Sequence, residues 1–416
     1  MHLNTNRTTR CLDSGLWLNL IPILCAIIIV VNFQFLFMRG RELGATNRVL
    51  TLSFMAAVLI AMLSGGLNLS YRRLDLALAA FAYSFWTRVP LRSYDSLGFG
   101  FVIALVPFAF LLLPYRYQGR TVRLLMLVTA VSSIAALFIG FLLLFGFNVP
   151  YLVFDPDGLS QRHFLLYPGF AHLTTNVWSI GPGVIGRNLG FLQEPGHFGI
   201  FCAALLAADR FDLRRWTNRL VVVGGLLTFS LAFYLTIIVA AAAFGLQKIT
   251  PKRLFAMFGF VTIVGGTVWQ LSPDGLIDRL VTGHMSDTSL VRGVLTRGGV
   301  LDSDGEVLLL AGSENLDIGQ FLIGLGHNLS ASSINLGGGS LNGFLYRYGL
   351  VGVLLLALWL SVIAVNSTRR GLATYVIILA IAILAHRSWM VAQVGIVLLL
   401  SISATWDSKT VHHLMD

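Results

Sequence analysis

Apolar residues in this chain come in long runs, broken by short polar connections. The runs fall near residues 16–38, 49–66, 74–87, 97–114, 124–146, 196–208, 219–229, 231–246, 254–271, 343–364, 372–386 and 391–404. Many approach the roughly 20 residues that carry a helix across a bilayer. None is a short, strictly alternating segment of the kind a membrane barrel uses. Only helices and closed barrels satisfy every backbone polar group in lipid. The pattern therefore predicts an all-α, polytopic integral membrane bundle of about twelve transmembrane helices. The first run, Leu16 to Met38, is long enough to span and lacks a small-residue cleavage site, so it reads as a span and not as a leader.

Two polar segments are long, 147–195 and 272–342. They divide the chain into N-terminal spans (1–146), a first loop (147–195), central spans (196–271), a large late loop (272–342) and C-terminal spans with a short tail (343–416). Residues 219–246 are ambiguous, either one long tilted span or two short ones. Arg210, Arg214 and Arg215 precede them, and Lys248, Lys252 and Arg253 follow. Basic clusters prefer the cytoplasm, which requires two crossings or a re-entrant pair. The turn is expected near Gly224-Gly225 or at Thr228-Phe-Ser230. Both termini are then cytoplasmic and both long loops extracytoplasmic. Arg39, Arg41 and Arg48 fall outside, against the general bias.

Composition agrees with a membrane chain. Charged residues are 12% and mean hydropathy is +0.79, against about 25% charged in soluble domains. The net charge is +10, and only three basic residues are Lys. Arginine forks suit phosphate and anionic lipid. No basic domain projects from the spans, so nucleic acid is not an expected partner. There is no P-loop, dinucleotide fingerprint or Ser-His-Asp signature, so an NTP-driven pump is not expected. Asp155-Pro-Asp157 and Asp302-Ser-Asp304 are pairs that can hold a divalent ion with a nucleotide sugar, but they fall on the outer face, where nucleotide sugars are absent. No metal and no cofactor are expected. Cys11, Cys25 and Cys202 lack metal spacing and read as isolated small hydrophobes.

The densest polar signal is Arg187-Asn-Leu-Gly-Phe-Leu-Gln-Glu194-Pro195-Gly-His197, at the mouth of an apolar run. Ionisable groups at a bilayer edge are costly and mark function. Glu194-Pro195 also makes a good helix start, because proline suits the first helical position and an acid there favours the helix dipole. Glu194 is thus either a cap or a general base, and His197 lies one turn on, on the same helical side. Arg162, Arg187, Arg279, Arg292 and Arg297 crowd the outer face, where guanidinium groups match a diphosphate. Arg347 lies in or at the edge of a span and needs a partner or an aqueous cavity. Arg387 closes the outer end of the last hairpin by the same logic.

These residues resemble a known family. Gly186-Arg187-Asn-Leu-Gly190-Phe-Leu-Gln-Glu194-Pro195-Gly196 is similar to the R-x-x-G-x-F-x-E-P-G/S segment of Wzy-type polysaccharide polymerases, within the O-antigen polymerase and ligase superfamily. Thr228-Phe-Ser230 resembles the family's T-x-S. Gly324-Leu-Gly326, then Asn342-Gly-Phe-Leu and Gly349-Leu-Val-Gly352, follow in family order. The chain departs where relatives carry His-Asn before the late span. Here that position is Leu341-Asn342, and the His-Asn pair stands earlier, at His327-Asn328. Thr-x-Ser is followed by Leu231 and not by Arg.

The resemblance implies a GT-C-like enzyme of the bacterial inner membrane. Its implied reaction is metal-independent, inverting glycosyl transfer between undecaprenyl-diphosphate-linked repeat units. Glu194, His197 and His327 are the implied catalytic candidates. Arg187, Arg297, Arg347, Asn342 and Arg387 are the implied substrate contacts. Membrane lipids and a chain-length regulator are the implied partners. The alternatives are a ligase of the same superfamily, acting on lipid A core or a protein, and a transporter or flippase.

Overall fold

The computed structural model describes residues 10–32, 40–64, 66–88, 94–154, 164–167, 171–180, 183–192, 195–240, 318–324, 341–367 and 370–405. Outside the first polar loop these residues are helical. In chain order they form α1 (Arg10–Asn32), α2 (Gly40–Leu63), a 3-10 turn (Tyr71–Arg73), α3 (Leu74–Arg88), α4 (Tyr94–Leu112) and α5 (Tyr115–Leu144). After the loop come α6 (Pro195–Ala208), α7 (Trp216–Leu226) and α8 (Leu231–Ala240). The chain closes with α9 (Ile318–Ile323), α10 (Leu341–Asn366), α11 (Arg370–Val391) and α12 (Val394–Thr405). The expected span at 254–271 lies outside the described residues.

The first loop differs from the all-helical expectation. It forms a four-stranded antiparallel meander, β1 (Leu152–Phe154), β2 (Phe164–Tyr167), β3 (Ala171–Ile180) and β4 (Gly183–Asn188), in that order. The cause is local sequence. β3 carries Thr174, Thr175, Val177, Trp178 and Ile180, residue types that fit a pleated sheet. Its pairing with β4 closes at Ile180 and Gly183, around Gly181-Pro182.

α6 is the centre of the bundle. Every residue from Pro195 to Ala208 is buried, as a helix that is apolar all round should be. It packs against α5, α7, α8, α11 and α12. α7 and α8 form a splayed hairpin beside it. α7 has 11 residues, about 16 Å of rise, well short of a bilayer. It ends in a turn at 227–229, where Phe229 adopts φ 48°. α8 then runs back along α6. Ser230 and Phe233 lie against Gly199, while Tyr375, bonded to Ala203 O, also meets Thr236. The chain thus turns back at Thr228–Ser230 and does not continue as a single tilted span.

Pairwise contacts fix the direction of the other helices. Tyr375, near the start of α11, reaches the second half of α6 and packs on Phe211. α10 ends beside that start, so its first turns lie at the end that carries the sheet. Arg73 donates to Asn366 O and Ala404 O, both 3.1 Å, at the opposite end. Trp86 and Arg88, at the far end of α3, bond Tyr348 O and Gln393 at the sheet end. Thr121 on Pro22 O holds the middle of α1 beside the first turns of α5.

α5 has two unlike faces. One face, with Leu127, Val128, Val131, Ile134, Phe138 and Phe141, is exposed, while Gln118, Thr121, Thr129 and Ser133 are buried on the other. The buried hydroxyls donate to carbonyls one turn back, and Gln118 Nε2 donates to Phe110 O, Leu111 O and Leu113 O at the end of α4. Two described helical segments, Tyr115–Leu144 and Arg347–Asn366, are long and apolar enough to cross a membrane.

Candidate functional site

The sheet end of α7 explains the densest motif. A helix leaves its last carbonyls without intrahelical donors, and here they are buried. Arg187, from β4, donates Nε to Thr228 O at 3.0 Å and Nη2 to Phe229 O at 3.2 Å. Asn188 donates its backbone N–H to Leu227 O at 2.9 Å and its amide to Gly224 O at 3.2 Å. Thr228 Oγ1 bonds Gly225 O at 2.6 Å and accepts from the Ser230 N–H. The Arg187-Asn188 step and the Thr-x-Ser turn are thus one hydrogen-bonded unit.

The glycines of these motifs have steric roles. Gly190 has φ +57°, and a Cβ there would lie 2.2 Å from the Phe198 ring. Phe198 packs edge-on against Phe191, which also meets Phe201. Gly349 has φ 68° and ψ −178° and breaks α10 just after Arg347. This backbone region is nearly restricted to glycine. A Cβ at Gly349 would lie 2.4 Å from Leu322 O, and one at Gly324 would lie 2.6 Å from Gly349 N. The end of α9 therefore packs backbone to backbone on the α10 kink. Trp86 Nε1 donates to Tyr348 O at 2.8 Å beside Gly352, tying α3 to the same kink.

The expected site residues are placed unevenly. Arg187 and Arg347 are half-buried at the sheet end. His197, in the first turn of α6, is fully buried. Asn342 lies in the first turn of α10 and Arg387 near the end of α11, both at the sheet end, with their side chains outside what is described. Glu194, His327 and Arg297 lie outside the described residues. Pro195 opens α6, the first-position proline expected of Glu-Pro. Among the described residues no group of three His, Cys, Asp or Glu could hold a metal ion.

Arg88 is a further charged residue at this end, beyond those expected from the motifs. It ends α3 at the sheet end and donates Nη2 to Gln393 Oε1 at 2.9 Å, in the break between α11 and α12. In the sequence Arg88 directly follows an apolar run, as Arg387 does. No protein-family profile, curated protein or solved structure matches the chain.

Proposed function

We propose that this chain is a multi-pass protein of the bacterial inner membrane, with about twelve spans, that polymerises lipid-linked glycans at its sheet end. The exposed apolar face of α5 and its buried hydroxyls suit lipid as the solvent. Arg116, Arg120 and Arg123 on α5, with Arg210, Arg214, Arg215 and Arg219 around the start of α7, lie at the opposite end. That bias suits a cytoplasmic face there and an extracytoplasmic sheet end.

The observation that carries the enzymatic reading is the meeting of motif segments. Arg187 bonds the Thr-x-Ser turn 41 residues away, and Gly324 packs on Gly349. Segments that resemble the polymerases in order are thus also neighbours in space. In the proposed reaction a sugar hydroxyl of one lipid-linked repeat attacks the anomeric carbon of the other. The new glycosidic bond forms as the bond to the lipid diphosphate breaks. Glu194 takes the hydroxyl proton, and the diphosphate leaves with both bonding electrons. Sheet-end arginines, Arg187, Arg297 and Arg347, stabilise its charge. His197, enclosed in α6, positions the entrance to that helix. His327 is the alternative base.

Deleting the gene and complementing it with wild type or Arg187→Ala tests this on a gel of the surface polysaccharide. Loss of the long-chain ladder, with single repeats still on their normal carrier, supports the polymerase. Accumulated long lipid-linked chains with no attachment would point to a ligase. An unchanged ladder in the deletion would remove glycan assembly and leave the transporter.

A further inference from the structure

The run that follows Arg123 carries no charge as far as Phe154, so it is longer than one span needs. Its helical part, Leu124 to Leu144, rises about 31 Å, against a hydrocarbon core of about 30 Å. Phe145 to Phe154 therefore begin where the hydrocarbon ends. The helix closes itself at that level. Gly146, at φ 77°, turns the chain, and the N–H groups of Gly146 and Phe147 return to Leu143 O at 3.1 Å and Leu142 O at 3.0 Å. Two terminal carbonyls are thus satisfied without water. The chain then folds back onto α5. Val149 and Tyr167 share a buried cluster with Ala136, Ile139 and Leu143, and Leu165 packs against it. This cluster fixes the β1–β2 side of the sheet to the last turns of α5.

The other side of this corner is bare. Phe145, Phe147, Tyr151, Leu152 and Val153 are exposed, Leu152 by 70%. They carry the exposed face of α5 past the helix end, and Phe145 packs on Phe141 of that face with ring centres 4.6 Å apart. Leu152 and Val153 point to opposite faces of β1, so both faces of the strand are apolar and open. β1 is an edge strand, paired among the described residues with β2 alone. An apolar edge without a guarding charge is an aggregation hazard in water. At three residues it is also a poor template for a partner strand. We infer that Phe145 to Val153 form a membrane-docking surface, which lies in the bilayer interface at the sheet end and holds the β1 edge on phospholipid. Continuity with the apolar face of α5 argues for lipid over a protein partner, and aromatic rings favour the headgroup level. Exposed Asn148 and the unpaired edge of β1 keep the corner out of the hydrocarbon, where their polar groups would lack partners. The inference rests on the membrane reading and not on the reaction.

Nitroxide labels on the full chain test it, in nanodiscs of phosphatidylethanolamine and phosphatidylglycerol. Cys25 and Cys202 are free but buried, so Cys11→Ser serves as the background. Labels are attached at Leu152→Cys, Val131→Cys and Arg214→Cys, and Tyr151→Cys replaces Leu152→Cys if that variant does not fold. Power saturation with oxygen and a water-soluble nickel chelate reads the depth of each label. The expected result puts 131 in the hydrocarbon, 214 in water and 152 about 5–10 Å below the headgroup surface. A label at 152 as wet as the one at 214, with 131 in lipid, would overturn the docking surface and leave the membrane reading standing. A label at 152 as deep as the one at 131 would overturn the interfacial placement. Contact of 152 with neither reagent would overturn it in favour of a protein cover. A label at 131 in water would sink the membrane reading and the docking surface with it.

Discussion

Arg187 and Arg215 stand at opposite ends of the same helices, α6 to α8, and are held in different ways. Arg215 meets carboxylates, Asp209 at 2.9 Å and Asp212 at 3.3 Å. Asp209 is nearly fully buried, and burial pushes its carboxyl above the ordinary range while Arg215 pulls it back. The acceptors described for Arg187 are instead two backbone carbonyls, and for Arg88 a carboxamide. At one end the guanidinium is tied to carboxylates, and at the other its N–H groups close the carbonyl end of a helix. The same residue type thus serves the fold as an ion-pair partner at one end and as a helix cap at the other.

The comparison can be broken in several places. Gly349→Val should have the largest effect. It forces a branched side chain into a glycine conformation and against Leu322 O and Gly324 N, costing well over about 3 kcal/mol. The account expects lost polymer and a lower unfolding temperature together, and normal polymer would show that the kink does not set the sheet end.

Arg215→Ala should cost about 2–3 kcal/mol, below the range for fully buried pairs because Arg215 is partly exposed. The pH dependence has a definite sign. The folded-state pKa of Asp209 lies above its unfolded value, so protonation favours the fold and ionisation at neutral pH is what Arg215 offsets. The Arg215→Ala defect should therefore shrink as pH falls through that raised pKa, and Arg215→Ala with Asp209→Asn should recover stability at pH 7. Thermal unfolding across pH reads both. Polymer formed per folded molecule should not change.

Val131→Arg probes the medium around α5. Val131 is 50% exposed near mid-helix. A charge there costs about 2.5–3.5 kcal/mol in lipid but within about 0.5 kcal/mol on a wetted surface. Reduced membrane abundance is expected, and wild-type abundance would contradict a lipid-facing α5. Trp86→Phe should be the mildest change, removing one bond to Tyr348 O for about 1 kcal/mol. It sharpens the comparison if polymer length falls while the Arg215 end, read by its pH dependence, is untouched.

Much of the helical layout could be read from the chain. α3, α6 and α12 begin and end within a few residues of their apolar runs, and the basic clusters on either side of residues 219–246 call for a turn between them, with Gly224-Gly225 and Thr228–Ser230 both open. The start of α5 was hidden, because Gln118 and Thr121 look like loop residues until their buried carbonyl partners are known. The sheet was hidden because its strands are short and β3 carries a register shift between Leu173 and Val177. At the site, spacing revealed Arg187 and the glycines but not their contacts. That Arg187 caps α7 depends on which helix end folds against β4. That Trp86 bonds Tyr348 O depends on packing between segments 262 residues apart.

The central claim is that the sheet end joins lipid-linked repeats. Lipid-linked repeat units extracted from the gene-deletion strain can be added to proteoliposomes holding only the purified chain, without nucleotide. The account predicts longer lipid-linked glycans, with one undecaprenyl diphosphate released per bond formed, and loss of both with Arg187→Ala. Repeats that cross the bilayer without lengthening would contradict it and identify a transporter.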